Sequence, residues 1–276
     1  MGEPINKDLR TWFRLVRMPF GVNVTPDDLY LRDSMIEVSD KIRFAIDSEL
    51  FFMLIGDVGA GKTATLSYSI AKLNGKRYEP IRVIAGTWSF TELLRQCMAS
   101  LGIFTRTSQQ ATMLKQISEA YSSIRESGKT PVLFIDEASL LLPEVFQQIH
   151  LLSNQTMTTS GKITPLVLCG QEALFEKANN AFCKPFMSRV IDGYQLRGMS
   201  MQECNDYINH QLYDLCRGPE DLFEENAKKA VFQATGGIPR KINEMCLKSM
   251  KIAMDGEHHQ VTAEHVRLAS HNWWER

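Results

Sequence analysis

The sequence lacks an excess of charge of either sign. Its 276 residues include 31 lysines and arginines and 32 aspartates and glutamates, so the formal net charge is −1. A protein with this balance has no global field that attracts nucleic acid, and any contact with a polyanion must come from a local patch. Apolar runs are also far shorter than the about 20 residues that cross a bilayer, and no signal peptide is recognisable. We therefore expect a cytoplasmic protein without a membrane contact.

Cysteine is sparse, and its spacing excludes two further kinds of site. The six cysteines include no C-x-x-C pair and no spacing typical of a metal site. Most of them lie in apolar segments, where a free cysteine behaves as a small hydrophobic residue. We expect reduced thiols rather than disulfides or a cysteine-bound metal.

The main chemical signal is the segment 51–64. Five apolar residues predict a strand that is buried on both faces, and G-x-x-x-x-G-K-T and a helix-forming segment follow. Three glycines in this motif allow a sharp turn that points backbone N–H groups inward, and the next helix adds its N-terminal dipole. The pattern predicts a P-loop that binds ATP, and the alternative is a chance glycine loop.

The predicted roles in this loop differ along it. Lys62 is expected to reach the β- and γ-phosphates, and the Thr63 hydroxyl is expected to ligate Mg²⁺. The residues predicted to hold the nucleotide are Gly56, Asp57, Val58, Gly59, Ala60, Gly61, Lys62, Thr63 and Ala64.

A second apolar run, residues 131–135, ends in two carboxylates roughly 70 residues after Lys62. Asp136 is placed to hold Mg²⁺ through water, and Glu137 to orient and deprotonate the attacking water. The alternative is that acidic residues are common at exposed strand ends. Gln171 follows a further apolar run, where it either touches the γ-phosphate or the catalytic water, or simply caps a helix.

Alternating buried strands and helices predict a doubly wound parallel α/β sheet with the phosphate site at the carboxyl ends of its strands. From about Gln195 onward the pattern predicts helices only, including a capping box at 200–203. We expect a leader at 1–33, an α/β core at 34–195, and a helical lid with an aromatic tail at 196–276. The helix that begins at Ser34 is predicted to bury one apolar face, formed by Ile36, Val38, Ile42 and Phe44.

The whole set of motifs resembles AAA+ ATPases of the ExeA/GspA type and the related transposition ATPases (TnsC-, MuB- and TniB-like). The resemblance covers nearly the whole chain. The leader, with P-F at 19–20 and T-P-D-D-L-Y-L at 25–31, looks like that of the group. D-E-A at 136–138 is similar to the group's Walker B region, G-Q at 170–171 to its sensor-1 strand end, and G-G-I-P-R-K-I-N at 236–243 to the start of its sensor-2 helix.

The resemblance implies roles for two arginines. Arg240 is expected to contact the γ-phosphate from the lid. Arg189 lies where related proteins carry an arginine finger, which would complete the site of a neighbouring subunit, and a surface ion pair is the alternative. The implied cofactors are ATP and Mg²⁺, and the implied assembly is a homo-oligomer, either a ring or a helical filament.

Secretion ATPases of this group usually continue into a membrane segment and an envelope-facing domain. A free-standing core of this size is more typical of the ATPases encoded beside transposases. The resemblance therefore favours an ATP-dependent regulator of DNA transposition that assembles on double-stranded DNA and directs a partner transposase to the target. Whether a separate target-selection protein takes part stays open. A secretion or envelope ATPase without a DNA role, and a replication loader, are the rival functions.

The resemblance also implies where DNA binds. In transposition ATPases the loops after the second strand and after the next helix follow the DNA backbone, and here these are residues 86–89 and 104–108. Both loops are rich in hydroxyl groups, which suit phosphate oxygens. The alternative is an ordinary solvated polar loop. The candidate DNA-binding residues are Thr87, Thr105, Arg106 and Thr107.

Overall fold

The computed structural model describes residues 8–21, 25, 28–153 and 163–271. The polar loop at 154–162, part of the leader and the tryptophan pair at 273–274 lie outside the described residues. The chain divides into two compact units. We call Asp33–Val58 with Lys62–Leu196 the sheet unit, and Met1–Arg32 with Gly59–Gly61 and Arg197–Arg276 the helical unit. The domain boundaries expected from the sequence stay a prediction.

The sheet unit is built on a five-stranded parallel sheet with the order β2-β3-β4-β1-β5. Its strands are β1 (Phe51–Gly56), β2 (Tyr78–Ile84), β3 (Thr130–Asp136), β4 (Leu166–Gly170) and β5 (Val190–Leu196). In register, Leu133 of β3 pairs with Leu166 of β4, which pairs with Phe51 of β1. The carboxyl ends of these three strands therefore meet at one edge of the sheet, and the predicted doubly wound parallel fold is confirmed.

The helices of the sheet unit pack against this sheet. They are α2 (Asp33–Asp47), α3 (Lys62–Lys72), α4 (Phe90–Ser100), α5 (Gln110–Glu126), α6 (Pro143–Gln148), α7 (Ala173–Ala178) and α8 (Lys184–Met187). Short 3₁₀ turns occupy Ala138–Leu140, Ile149–Leu152 and Ala181–Cys183. The core between helices and sheet is apolar and includes Phe51, Leu94, Ile117 and Phe146.

Two expectations about this unit are wrong. The sequence predicts helices only from about Gln195, yet Gln195 lies in β5, an edge strand whose residues are mostly half-buried or exposed. Such a strand lacks the continuous apolar run that marks a strand buried on both faces. The predicted apolar face of α2 is also wrong, because Ile36 and Phe44 are 43% and 59% exposed. The buried face follows the helical spacing of Met35, Val38, Ile42, Ala45 and Ile46.

The helical unit consists of short helices around a second apolar core. They are α1 (Leu9–Phe13), α9 (Met201–Asn209), α10 (Glu225–Thr235), α11 (Pro239–Asp255) and α12 (Ala263–Ala269), with a π-helical turn at His210–Asp214. The capping box predicted at the start of α9 is confirmed, since Ser200 and Glu203 each accept the other's backbone N–H. Phe13, Leu212, Phe223 and Met250 lie at the centre of this core.

All six cysteines are free and buried, as expected from their apolar surroundings. Burial raises the pKa of the Cys97 and Cys204 thiols to about 12, so these thiols are unreactive near neutral pH. In the part of the chain that the structure describes, no helix has both the length and the apolarity needed to cross a bilayer.

The start of α12 depends on a histidine. The Thr262 N–H donates to Nδ1 of His265 at 3.0 Å, and the ring of His258 lies 5.0 Å away. Burial and the neighbouring His258 lower the pKa of His265 from its usual 6.5, against the opposing effect of Glu224 and Glu264. An imidazole whose Nδ1 accepts a hydrogen bond is not protonated there, so the cap requires the neutral ring.

We predict that the protein loses stability as the pH falls from 7 to 5 partly through His265. Because the pKa is lower in the folded state, the unfolded chain binds more protons below neutral pH, and the free energy of unfolding decreases. His265→Gln keeps an acceptor at the third helical position and should flatten this dependence, by up to the about 1 kcal/mol that a helix cap contributes. Urea unfolding at several pH values measures the effect. The exposed His259→Gln is the control, and an equal pH dependence in both variants would contradict the assignment.

Candidate nucleotide-binding site

The loop between β1 and α3 has the backbone of an anion-binding nest. Gly59 and Gly61 have φ angles of +81° and +97°, a region that side chains other than glycine rarely adopt. Gly56 is required for a different reason, since an added Cβ would lie 2.6 Å from the carbonyl oxygen of Leu196. α3 begins at Lys62, so its N-terminal dipole adds to the nest.

The side chain of Lys62 turns back onto this loop. It is only 7% exposed, and its Nζ donates to the carbonyl oxygens of Gly56 and Asp57, both at 2.9 Å. Both acceptors are neutral, so neither neutralises the lysine's charge, and an ammonium group has three donors. A glycine nest with a buried lysine at its centre fits a phosphate group. Thr63 and Ala64 follow in the first turn of α3, with Thr63 exposed.

The two predicted acidic residues lie at the end of β3. Asp136 is 2% exposed, and its Oδ1 accepts the Glu137 N–H at 3.0 Å. Glu137 is half-buried and has a φ angle of 53°, which is unusual for a residue other than glycine. Backbone of this kind persists only where the surrounding structure holds it, and it is concentrated at functional sites.

The sequence interpretation missed a third charged residue in this cluster. Arg82 on β2 donates from Nη2 to Oδ2 of Asp136 at 3.1 Å, and from Nη1 to the Ser67 hydroxyl on α3 at 3.1 Å. Its register partner on β3 is Phe134, two residues before Asp136. Because Arg82 interrupts an apolar run by a single residue, the pattern indicates only a strand.

Gln171 lies beside the turn that follows Glu137. Its N–H donates to the Ser139 hydroxyl at 3.3 Å, and a Cβ on Gly170 would lie 2.9 Å from the Ser139 nitrogen. Lys177, also missed from the sequence, donates from Nζ to the carbonyl oxygens of Ser139 and Leu141 at 2.6 and 2.9 Å. These contacts connect the end of β4 to the segment after β3, so Gln171 and Glu137 are held at the same edge.

Arg189 lies at the opposite edge of the sheet. Its carbonyl oxygen accepts the N–H of Phe51, the first residue of β1, and its Nη1 donates to the Pro185 carbonyl at 2.9 Å. The P-loop begins at the other end of the six-residue strand β1, about 16 Å further along at the usual rise per residue. Burial, and next the charge of Arg189, lower the pKa of His150. The structure therefore does not bring Arg189 together with the P-loop of its own chain.

Arg240 lies in the helical unit, in the first turn of α11. Its N–H donates to the Gly59 carbonyl within the same unit at 3.3 Å, and a Cβ on Gly59 would lie 2.6 Å from the Cβ of Arg240. The glycines of the preceding G-G-I-P motif allow a tight turn, because Gly236 and Gly237 have φ angles of +60° and +73°. The contact of the Arg240 side chain with a γ-phosphate stays a prediction.

The two candidate DNA loops differ in what they expose. Thr87 is exposed in the first loop. In the second, Thr105 and Thr107 are half-buried, and their hydroxyl oxygens accept the N–H groups of Thr107 and Gln109 at 3.3 and 3.1 Å. Arg106 is exposed and Phe104 is 92% exposed. The loop therefore presents a cation and an aromatic ring, and its two hydroxyl groups keep only their hydrogens for a ligand.

Comparison with known proteins agrees with this geometry. Residues 46–177, a little under half of the chain, match the family model of an AAA domain. The archaeal ORC2 protein of Aeropyrum pernix, solved in ADPNP–ADP complexes, superposes with a TM-score of 0.67 at 12% identity, over 91% of this chain and 70% of that one. The chain has the AAA+ P-loop NTPase fold.

Two further proteins are similar to this chain. General secretion pathway protein A of Aeromonas hydrophila is 25% identical over 262 residues, which are 94% of this chain and 47% of the relative. The chain thus spans about half the length of that curated relative. The Drosophila ORC structure bound to DNA matches with a TM-score of 0.62 at 18% identity, over 98% of this chain and 67% of that one.

We predict that Lys62→Ala weakens nucleotide binding at least about tenfold, because a charge-assisted contact with phosphate is lost from a buried site. Binding of a fluorescent ADP or ATP analogue measures this directly. Lys72→Ala is the matched control, since Lys72 is an exposed lysine in the last turn of the same helix. Equal affinities of the two variants would contradict the predicted role of Lys62.

Proposed function

We propose that the protein is a Mg²⁺-dependent AAA+ ATPase whose ATP-bound form assembles on double-stranded DNA and regulates transposition. The observation that carries the ATPase part is the arrangement at one sheet edge. The P-loop lysine follows β1, the buried Asp136 and the strained Glu137 end β3, and Gln171 follows β4.

The chain's own residues divide the work of hydrolysis. Lys62 and the loop amides bind the phosphates, and Thr63 with Asp136 holds Mg²⁺, which neutralises phosphate charge when bound. Glu137 lies one residue beyond Asp136 with its side chain half-buried, so it accepts the proton of the attacking water. Gln171, held beside the following turn by Ser139, orients that water.

Turnover requires a second copy in this proposal. Arg189 lies at the edge of the sheet opposite the P-loop, so it acts on a neighbouring subunit or has only a structural role. An arginine contributed in trans stabilises the charge that develops on the transferred phosphoryl group. A homo-oligomer, either a ring or a filament, is then the active form.

The DNA part rests on the exposed loops and on the motif resemblance to transposition ATPases. Thr87 and Arg106 lie at exposed positions of the loops that follow β2 and α4, and phosphate contacts of this kind need no net positive charge on the whole chain. Several proteins with the same fold have been solved with DNA, among them Drosophila ORC. The recruited partner in this proposal is a transposase.

A secretion ATPase without a DNA role is the second candidate. The observation that favours it is the match to general secretion pathway protein A over 94% of this chain. Both candidates share the ATPase site, so only DNA binding and the identity of the partner distinguish them.

We predict that Glu137→Gln binds ATP but loses most of its turnover, and that mixing it with Arg189→Ala restores part of the activity. The reason is that the Glu137→Gln subunit supplies an intact Arg189 to the intact Glu137 of its neighbour. Phosphate release over a range of mixing ratios measures the rescue, and Glu144→Gln, an exposed carboxylate on α6, is the control. Absence of rescue at every ratio, with specific activity independent of protein concentration, would argue against action in trans.

We predict that Arg106→Ala combined with Thr105→Ala abolishes ATP-dependent binding to duplex DNA and leaves nucleotide binding intact. Loss of one phosphate contact per subunit should also reduce the slope of log K against log salt concentration by about one. Arg95→Ala, an exposed arginine on α4, is the control. Unchanged affinity and salt slope would place the DNA elsewhere, and a wild-type protein that binds no DNA with ATP would favour the secretion candidate.

A further inference from the structure

Arg82 is the cation closest to the predicted metal site that no motif explains. It links two elements, because one nitrogen of its guanidinium donates to Asp136 at the end of β3 and another to Ser67 on α3, each at 3.1 Å. Ser67 lies one helical turn after Thr63, the other predicted metal ligand. One side chain therefore joins the strand and the helix that carry both predicted ligands of Mg²⁺.

The energetics of this contact suggest a role other than stability. The Arg82 side chain is 35% exposed, whereas that of Asp136 is 3% exposed. An ion pair with one buried partner gains little net stability, because desolvation offsets the attraction. The Nε of Arg82 is buried and has no hydrogen-bond partner in the described part of the chain, which adds a further cost. An apolar residue at this point of β2 would avoid both costs.

The acceptor capacity of Asp136 supports the same conclusion. Its Oδ1 accepts the Glu137 N–H and its Oδ2 accepts from Arg82, so each carboxylate oxygen already has a donor from the protein. A Mg²⁺ ion held by Asp136 through water needs one of these oxygens. It also brings two positive charges close to the guanidinium, and like charges around one carboxylate repel each other.

We propose that Arg82 is the resident counter-cation of Asp136, which neutralises and orients this carboxylate without nucleotide and competes with Mg²⁺ when nucleotide binds. Arg82 is thus a positioning residue that sets the Mg²⁺ concentration at which the site fills. The proposal rests on the proposed function, since it takes Asp136 as a residue of the Mg²⁺–ATP site.

The first test titrates Mg²⁺ into protein with a fluorescent, non-hydrolysable ATP analogue, so that no turnover is needed. Arg82→Gln removes the charge and keeps hydrogen-bond donors, so the half-saturating Mg²⁺ concentration should fall at least about threefold. Arg82→Lys keeps the charge but loses the fork geometry, so its value should stay near that of the wild type. An unchanged or higher value for Arg82→Gln, or an equally lowered value for Arg82→Lys, would overturn the proposal.

The control is Arg77→Gln, because Arg77 directly precedes the same strand and its side chain, 67% exposed, pairs with Asp47 at 3.5 Å. This variant should leave the Mg²⁺ titration unchanged. A Mg²⁺ shift as large as that of Arg82→Gln would show a general effect of surface charge and would overturn the assignment to Arg82.

The second test uses the protein without nucleotide and separates this proposal from the proposed function. Unfolding of the wild type, Arg82→Gln, Asp136→Asn and the double variant forms a thermodynamic cycle. Arg82→Gln should cost stability in the wild type and much less in Asp136→Asn, and additive effects would overturn the pairing. A wild-type protein that binds no nucleotide at any Mg²⁺ concentration would refute the proposed function, whereas nucleotide binding with an unshifted Arg82→Gln titration would refute only the role of Arg82.

Discussion

The parallel register of three strands is the constraint on which the candidate site depends. Leu133, Leu166 and Phe51 lie side by side across β3, β4 and β1, so the three strands end at the same edge. Residues that are far apart in the chain, such as Lys62 and Asp136, belong to one site only because of this alignment. A shift of one strand by one residue would also turn its buried side chains toward the opposite face of the sheet, which a sheet covered on both faces does not tolerate.

Prediction from the sequence succeeded where burial leaves a continuous pattern. β1, β3 and β4 are central strands buried on nearly every residue, and each appears as an apolar run with a polar end. β5 was missed because an edge strand carries polar residues along one face. The buried face of α2 was assigned wrongly because Ile36 and Phe44 are apolar and share the opposite face, where the helix exposes them.

Contacts between distant residues were beyond prediction for a different reason. Arg82 and Asp136 are 54 residues apart, and Lys177 is 38 residues from Ser139, so no local pattern relates the partners. Their pairing follows from the strand order and from the turn after β3. The motif itself supplies Lys62, Thr63, Asp136 and Glu137, whereas the residues that hold these groups in place emerge only from the fold.

β2 connects the two parts of the proposed function. Arg82 on this strand binds the side chain of Asp136, and the N–H of Ala85 donates to the backbone carbonyl of Asp136 at 2.8 Å. Gly86, the next residue, begins the first candidate DNA loop. A Mg²⁺ ion that competes with Arg82 for Asp136 would therefore act on the strand that ends in this loop. Because the strand is hydrogen-bonded to β3 along its length, a change at Arg82 reaches the loop through one continuous element rather than through solvent.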